Sequence, residues 1–217
     1  MAEIYANAIE AYRVERDKNL KLYPGVKDAL QQIRAAGCLI VVYTESMAFY
    51  SNSRIRYFGL DGIVDYLYSP PDHDLPLGLT REQVRRYPST KYELKETRHC
   101  YTPQGVLKPS EQVLISIITT VRATVEDTLY VGDSLLKDIL MAQRAGVRHA
   151  WAKYGEAHQR EAYDLLRAVT HWTDEMVQKE RELKHEHVQP SITLRKSFSE
   201  LFEHFKFEGQ RKYTLAD

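Results

Sequence analysis

Asp133 and Asp138 are the two residues best placed to do chemistry together. The apolar run Thr128-Leu129-Tyr130-Val131 reads as a buried parallel strand; it breaks at Gly132, and an amphipathic helix is predicted to begin just after Ser134. In an open α/β sheet ligands bind outside the carboxyl ends of the strands, which is where this places Asp133. Asp138 follows five residues later, in the first turns of the helix, and can turn back toward the same crevice. Two carboxylates around one strand end suit a hard, oxygen-liganded cation such as Mg²⁺. The same residues also admit a plain structural reading, with Asp133 capping the helix and Asp138 an unrelated surface carboxylate.

The elements that must position these groups follow from periodicity. Residues 2–19 have a helical spacing of Ile4, Ala8, Ala11 and Tyr12, with no strand before them. Leu22-Tyr23-Pro24-Gly25-Val26 turns into a second helix striped by Val26, Leu30 and Ile33 and stopped at Gly37. Cys38-Leu39-Ile40-Val41-Val42-Tyr43 is too short for a helix and continuously apolar, so it reads as a strand covered on both faces and closed by Thr44-Glu45-Ser46. A helix to about Phe58 and a strand over 63–68 follow. Residues 70–106 lose all regularity apart from a short helix predicted near Arg81–Arg86, so they are expected to form a long irregular insertion with a functional or interface role. Order resumes at Lys108-Pro109-Ser110, where Ser110 can cap a helix carrying Val113, Leu114, Ile117 and Ile118. After the Asp133 strand and its helix, Gly146 leads into a strand over 147–152, then a helix over 156–167, a strand over 169–172 and a charged helix to about Lys184. The polar stretch 184–190 reads as a linker, and Phe198, Leu201, Phe202 and Phe205 as an amphipathic tail helix. Alternation of strand and helix gives an α/β class with a mainly parallel sheet flanked by helices.

Composition removes several function classes. The 217 residues balance 30 basic against 30 acidic side chains, so no global charge draws the chain to nucleic acid or membrane. A basic cluster at Arg81, Arg85, Arg86, Lys91, Lys95 and Arg98 is interleaved with Glu82, Glu93 and Glu96, which argues against a nucleic-acid face. No apolar run reaches membrane-spanning length, and Met1 leads into no signal peptide. Cys38 and Cys100, far apart in sequence, fit a reducing, cytoplasmic setting. His185 and His187 lie in the polar linker with no cysteine nearby and are read as linker rather than as a metal site.

Taken in order, these motifs resemble the haloacid dehalogenase-like hydrolases, a superfamily made up mostly of Mg²⁺-dependent phosphatases. A strand ends in Thr44; Lys108-Pro109 follows a variable stretch; a strand then ends in Gly132-Asp133-Ser134 with Asp138 beyond it. Tyr23-Pro24-Gly25-Val26, Ala145-Gly146-Val147 and the turn at Lys153-Tyr154-Gly155 are similar to that family as well. The resemblance spans roughly residues 20–180. It implies a Rossmann-like core over 21–184, with residues 1–20 as the remnant of a helical cap and 185–217 as linker and tail. It also implies that Thr44 and Glu45 help to bind a phosphoryl group, that Lys108 neutralises charge, and that Asp133 and Asp138 hold Mg²⁺ directly and through water. These roles suit phosphoryl transfer, which needs mostly positioning and electrostatic stabilisation.

The family's first motif, an apolar strand ending in Asp-x-Asp whose first aspartate becomes an aspartyl phosphate, has no counterpart before Thr44. Asp72-His73-Asp74 lies after Thr44, in the irregular segment with no strand feeding it, and is read as unrelated. The sheet is therefore expected to lack its usual first central strand, between the strands that carry Thr44 and Asp133. Met1 is expected to be an internal methionine, and the chain an N-terminally truncated phosphatase of small phosphorylated metabolites with little activity alone. The alternative is a non-catalytic binding or regulatory module, self-associating or contacting a partner through 70–106 and 197–207.

Overall fold

The computed structural model describes residues 6–75, 77–85, 88–156 and 186–209. Helix α1 (Ala6–Asn19) is followed by α2 (Val26–Ala35), β1 (Val41–Tyr43), α3 (Ala48–Tyr57) and β2 (Tyr66–Ser69). Then come a single turn α4 (Arg81–Val84), β3 (Arg98–Tyr101), α5 (Glu111–Thr120), β4 (Leu129–Gly132), α6 (Leu140–Arg144), β5 (Arg148–Ala152), β6 (Ile192–Leu194) and α7 (Leu201–His204). Among the described residues no helix is long and apolar enough to cross a membrane.

The strands form two three-stranded parallel sheets, β1-β2-β3 and β4-β5-β6, flanked by helices. This is the α/β, parallel architecture that the alternation of elements predicts and the Rossmann-like core that the family resemblance implies. The core follows from the stripes in the sequence. Ile33 of α2 packs with Ile40, Ile55, Leu60, Val64 and Leu67, whereas Leu114 and Ile118 of α5 pack with Met141, Ala142 and Val147. Val64, Leu67 and Met141 are almost completely enclosed, and burying each such side chain stabilises by roughly 1.5–3 kcal/mol before entropy. Ser110 caps α5 as its position suggests, its hydroxyl accepting from Val113 N–H.

The two sheets approach each other along the β1 and β4 edges without pairing. Tyr66 N–H donates to Ile40 O and Thr44 N–H to Tyr68 O, so alternate residues of β1 bond to β2. The backbone groups of Val41 and Tyr43 must then point to the opposite edge. Among the described residues strand β4 pairs with β5 alone. Among the described residues no strand joins the two edges. The rings of Tyr43 and Tyr130 pack on the same cluster of Leu114, Ile118 and Met141, which holds one sheet against the other. On the other side Phe198 and Phe207 pack against both the β1-β2 core and the β4-β5-β6 core, so the C-terminal segment bridges the halves.

Away from the cavity, the structure departs from the sequence reading in four places. Segment 70–106 is not wholly irregular: Arg98–Tyr101 forms β3, in parallel register with Tyr66–Ser69. A polar edge strand of four residues has no local signature, because it exists only through its partner. Residues 186–189 are stitched to the core rather than forming a linker: Arg144 pairs with Glu186 at 2.9 Å, and Gln143 bonds both His187 O and Gln189 N–H. Ile192–Leu194 then adds β6 to the second sheet, so the core extends past 184 into the segment read as linker and tail. The tail helix is shorter than its apolar spacing suggests, a 3₁₀ turn over Phe198–Glu200 followed by the one turn of α7. The helix over 156–167, the strand over 169–172 and the following helix to Lys184 lie outside the described residues from 157 onward, as do His185 and residues 210–217.

Candidate active site

The carboxyl ends of β1 and β4 open into one cavity of about 390 Å³, lined by Thr44, Glu45 and Ser46 from the first and Gly132, Asp133, Ser134, Lys137 and Asp138 from the second, with Lys108 between them. All five residues singled out from the sequence, Thr44, Glu45, Lys108, Asp133 and Asp138, line this one cavity. They come from three separated segments, so only the fold brings them together.

The Asp138 side of the cavity is built by backbone geometry. Ser134 caps the turn after β4, its hydroxyl accepting from Lys137 N–H at 3.2 Å. The next residues, Leu135–Ile139, form a π-turn in which Ile139 N–H reaches Ser134 O five residues back. Such wide turns are uncommon and cluster at functional sites. The regular helix predicted from Leu135 begins only at Leu140. Asp138 comes to lie directly against Gly132, where a Cβ would overlap its Cβ and Cγ. Glycine at 132 is therefore a space requirement set by the carboxylate beside it.

Asp138 is 8% exposed and engaged on both oxygens. Oδ1 accepts from Lys108 Nζ at 2.8 Å and from Tyr130 Oη at 3.0 Å, and Oδ2 accepts from Ser134 N–H at 3.2 Å. Burial, and then the charge of Asp138 and the hydrogen bond to it, hold the Tyr130 phenol well above its ordinary pKa, so it stays a donor. Lys108 bridges the two sheets: Nζ also donates to Tyr43 O at 3.1 Å, on the β1 edge that faces away from β2, and lies 4.5 Å from the Tyr43 ring centre and 5.6 Å from that of Tyr130. Its backbone N–H donates to Glu45 Oε1 at 2.7 Å, while Glu45 Oε2 pairs with Lys137 Nζ at 2.9 Å. Burial raises the Tyr43 hydroxyl, with Lys108 partly offsetting and Glu45 and Asp138 adding to the rise.

Thr44 Oγ1 accepts from Ser46 N–H at 3.1 Å, which leaves its own O–H to donate elsewhere. Asp133 is exposed; its carbonyl accepts from Trp151 Nε1 at 3.1 Å, and Gly155 passes close to its Cβ. A carboxylate offers about four acceptor positions, so Asp138, with three donors, keeps room for one more. An exposed Asp133 and a nearly saturated Asp138 fit Mg²⁺, which keeps several waters and takes only one or two protein carboxylates. Among the described residues no group of three or more acidic, histidine or cysteine side chains forms a fuller metal site.

Asp72 and Asp74 are not among the residues lining the cavity. Asp72 Oδ1 accepts from Phe49 N–H at the start of α3, and Oδ2 pairs with Arg81 at 2.8 Å. Tyr43, Tyr130, Ser134, Lys137 and Ser46 are site residues that the sequence reading passed over. The two tyrosines read as strand core, and only their position next to a strand's polar end could have drawn attention to them. Lys137 sits one residue before Asp138 in a segment read as ordinary helix.

A family model for haloacid dehalogenase-like hydrolases matches residues 2–146. Among solved structures, the chain is similar to the HAD-hydrolase YfnB from Bacillus subtilis, solved bound to magnesium, at 17% identity and a TM-score of 0.50. That match covers 84% of this chain and 55% of that one, so this chain spans about half the length of that neighbour. A double mutant of a thermostable NPPase from Geobacillus stearothermophilus is also found, at 13% identity and a TM-score of 0.30, covering 82% of this chain and 71% of that one. No curated protein matches the chain. The match to the family model over two thirds of the sequence, on a fold that carries the motifs at converging strand ends, establishes that this chain belongs to the haloacid dehalogenase-like hydrolases.

Proposed function

We propose that the chain is the site-bearing core of a Mg²⁺-dependent phosphoric monoester hydrolase of small phosphorylated metabolites. The observation that carries this reading is Lys108, whose ammonium spans Tyr43 O and Asp138 at the point where both strand ends meet. In the reaction the Thr44 O–H donates to a phosphoryl oxygen, with Oγ1 held by Ser46 N–H. Lys108 neutralises the charge gathered between the phosphoryl group and an attacking carboxylate. Asp133 would hold Mg²⁺ directly and Asp138 through a bound water. When bound, the cation polarises the phosphoryl oxygens and offsets their charge. The Bacillus subtilis neighbour was solved with magnesium, in keeping with that choice. Two reduced cysteines, Cys38 and Cys100, fit a cytoplasmic setting.

The carboxylates of the cavity leave no ready nucleophile. Glu45 is held by Lys137 and the Lys108 N–H, Asp138 by three donors, and Asp133 is assigned to the cation. An attacking aspartate is best supplied by an extended segment lying between β1 and β4, whose facing edges have no strand partner among the described residues. The 217-residue chain by itself is then expected to turn over little. The test is release of phosphate from an aryl phosphate with Mg²⁺, for this chain and for Asp133→Ala. Calorimetric binding of Mg²⁺ should be lost in the variant; turnover that survives it would overturn the site assignment.

A second reading, a non-catalytic module contacting a partner or a second copy through 70–106 and 197–207, draws on exposed apolar side chains there. Leu77 and Leu79 are exposed on the first segment and Phe202 on the second. A monomer by light scattering at high concentration would count against the self-association part.

A further inference from the structure

A charged group that the phosphatase reading does not use stands one hydrogen bond away from the cavity lining. Ser46 lines the cavity, and each of its polar groups is fixed. Its N–H donates to Thr44 Oγ1, its carbonyl accepts from the buried Ser51 hydroxyl at 2.8 Å, and its Oγ accepts from an Arg54 terminal nitrogen at 3.0 Å. Ser51 and Arg54 both stand on α3, so this helix sets both the hydroxyl and the guanidinium. The Arg54 side chain is exposed and, among the described residues, has no carboxylate partner. The two lysines lining the cavity differ: Lys108 is paired with Asp138 and Lys137 with Glu45. A guanidinium carries five donors in a fixed fork, and one bond to Ser46 leaves most of them available.

We propose that Arg54 reads a second anionic group on the substrate, so that the preferred substrate is a phosphorylated carboxylic acid or other phosphomonoester with a second negative charge. The inference rests on the cavity binding phosphate. With the phosphoryl group against Thr44 and Lys108, the next part of a small substrate passes Ser46 and meets Arg54. A planar fork suits a carboxylate, which it can engage through two parallel N–H···O bonds. Arg54 is then a specificity residue that acts beside the chemistry and leaves phosphate capture to Thr44 and Lys108.

The test compares two esters of matched size, ethyl phosphate and its carboxylate-bearing counterpart phosphoglycolate, by calorimetry with Mg²⁺ present. The wild-type chain should bind the carboxylate ester about tenfold more tightly, the size of a partly exposed charge-assisted hydrogen bond. Arg54→Gln keeps an N–H donor for Ser46 but loses the charge, so it should erase that preference while leaving ethyl phosphate binding unchanged. Arg54→Lys keeps the charge without the fork and should retain part of the preference. If Arg54→Gln weakens both esters equally, Arg54 merely orients Ser46 and the inference falls. If the wild type does not distinguish the esters, the inference falls and the phosphatase reading stands. If neither ester binds, both readings fall together.

Discussion

The two ends of the first sheet use carboxylates in opposite ways. At the amino ends, acidic side chains hold backbone. Asp61 accepts from the N–H groups of Lys95, Glu96 and Thr97, and Asp65 accepts from Ile40 N–H while pairing with Arg34 at 2.6 Å. At the carboxyl ends, where the second sheet joins, Asp138 and Glu45 each accept one backbone N–H and in addition hold a lysine ammonium. Asp138 pairs with Lys108 and Glu45 with Lys137 around an open cavity. A carboxylate bonded to fixed N–H groups sets the position of a loop and has little reason to change partners. A carboxylate bonded to an ammonium beside a cavity can exchange that partner for a ligand or a cation. The same residue type thus builds the scaffold at one end and the candidate chemistry at the other.

Substitutions at the two ends should separate these roles. The largest effect is expected at the cavity end from Lys108→Met, which strands Asp138 as a buried charge; such losses cost roughly 3–5 kcal/mol. Urea unfolding followed by circular dichroism would measure it, and a loss below about 1 kcal/mol, the range of an exposed pair, would mean that the Lys108–Asp138 pair is solvated. Gly132→Ala should follow, at about 1–3 kcal/mol, because the added Cβ overlaps Asp138 and the π-turn must shift. It should also weaken Mg²⁺ binding in calorimetry; unchanged binding would show that Asp138 is not required for the cation.

The smallest effect is expected at the structural end from Asp61→Asn, about 1 kcal/mol after screening by solvent. Burial pushes the Asp61 carboxyl up, but the backbone N–H groups of Lys95, Thr97 and Glu96 outweigh it, so its pKa lies below the ordinary value. Because the folded state binds this proton more weakly than the unfolded chain, the contribution is full above the unfolded pKa and is lost as pH falls through the folded one. Stability curves of wild type and Asp61→Asn should therefore converge on the acid side, and curves that stay parallel there would remove Asp61 from the account. Mg²⁺ binding should be the same in both.

The sequence by itself determined the elements whose stabilisation is local or carried in one stripe. Helices α2 and α5, with their buried Ile33 and Leu114, and strands β1, β4 and β5 all show in apolar runs punctuated by Gly37, Ser110 and Gly146. It also put Thr44 and Asp133 at strand ends, where an α/β sheet opens, while Tyr43, Tyr130, Ser46 and Lys137 of the same cavity wall carried no such mark. Tertiary structure alone decided the rest. Strands β3 and β6 are short and lie in segments with no strand signature, and the parallel pairing with β2 and β5 is what makes them strands. The π-turn that brings Asp138 against Gly132 has no composition that marks it, since its geometry is set by what packs around it. The lysine partners were equally hidden: Lys108 reaches Asp138 and Lys137 reaches Glu45 only because two separate sheets bring their carboxyl ends together. Periodicity reports the face a residue buries within its own element, whereas a site formed between elements depends on distances that no single stretch of sequence contains.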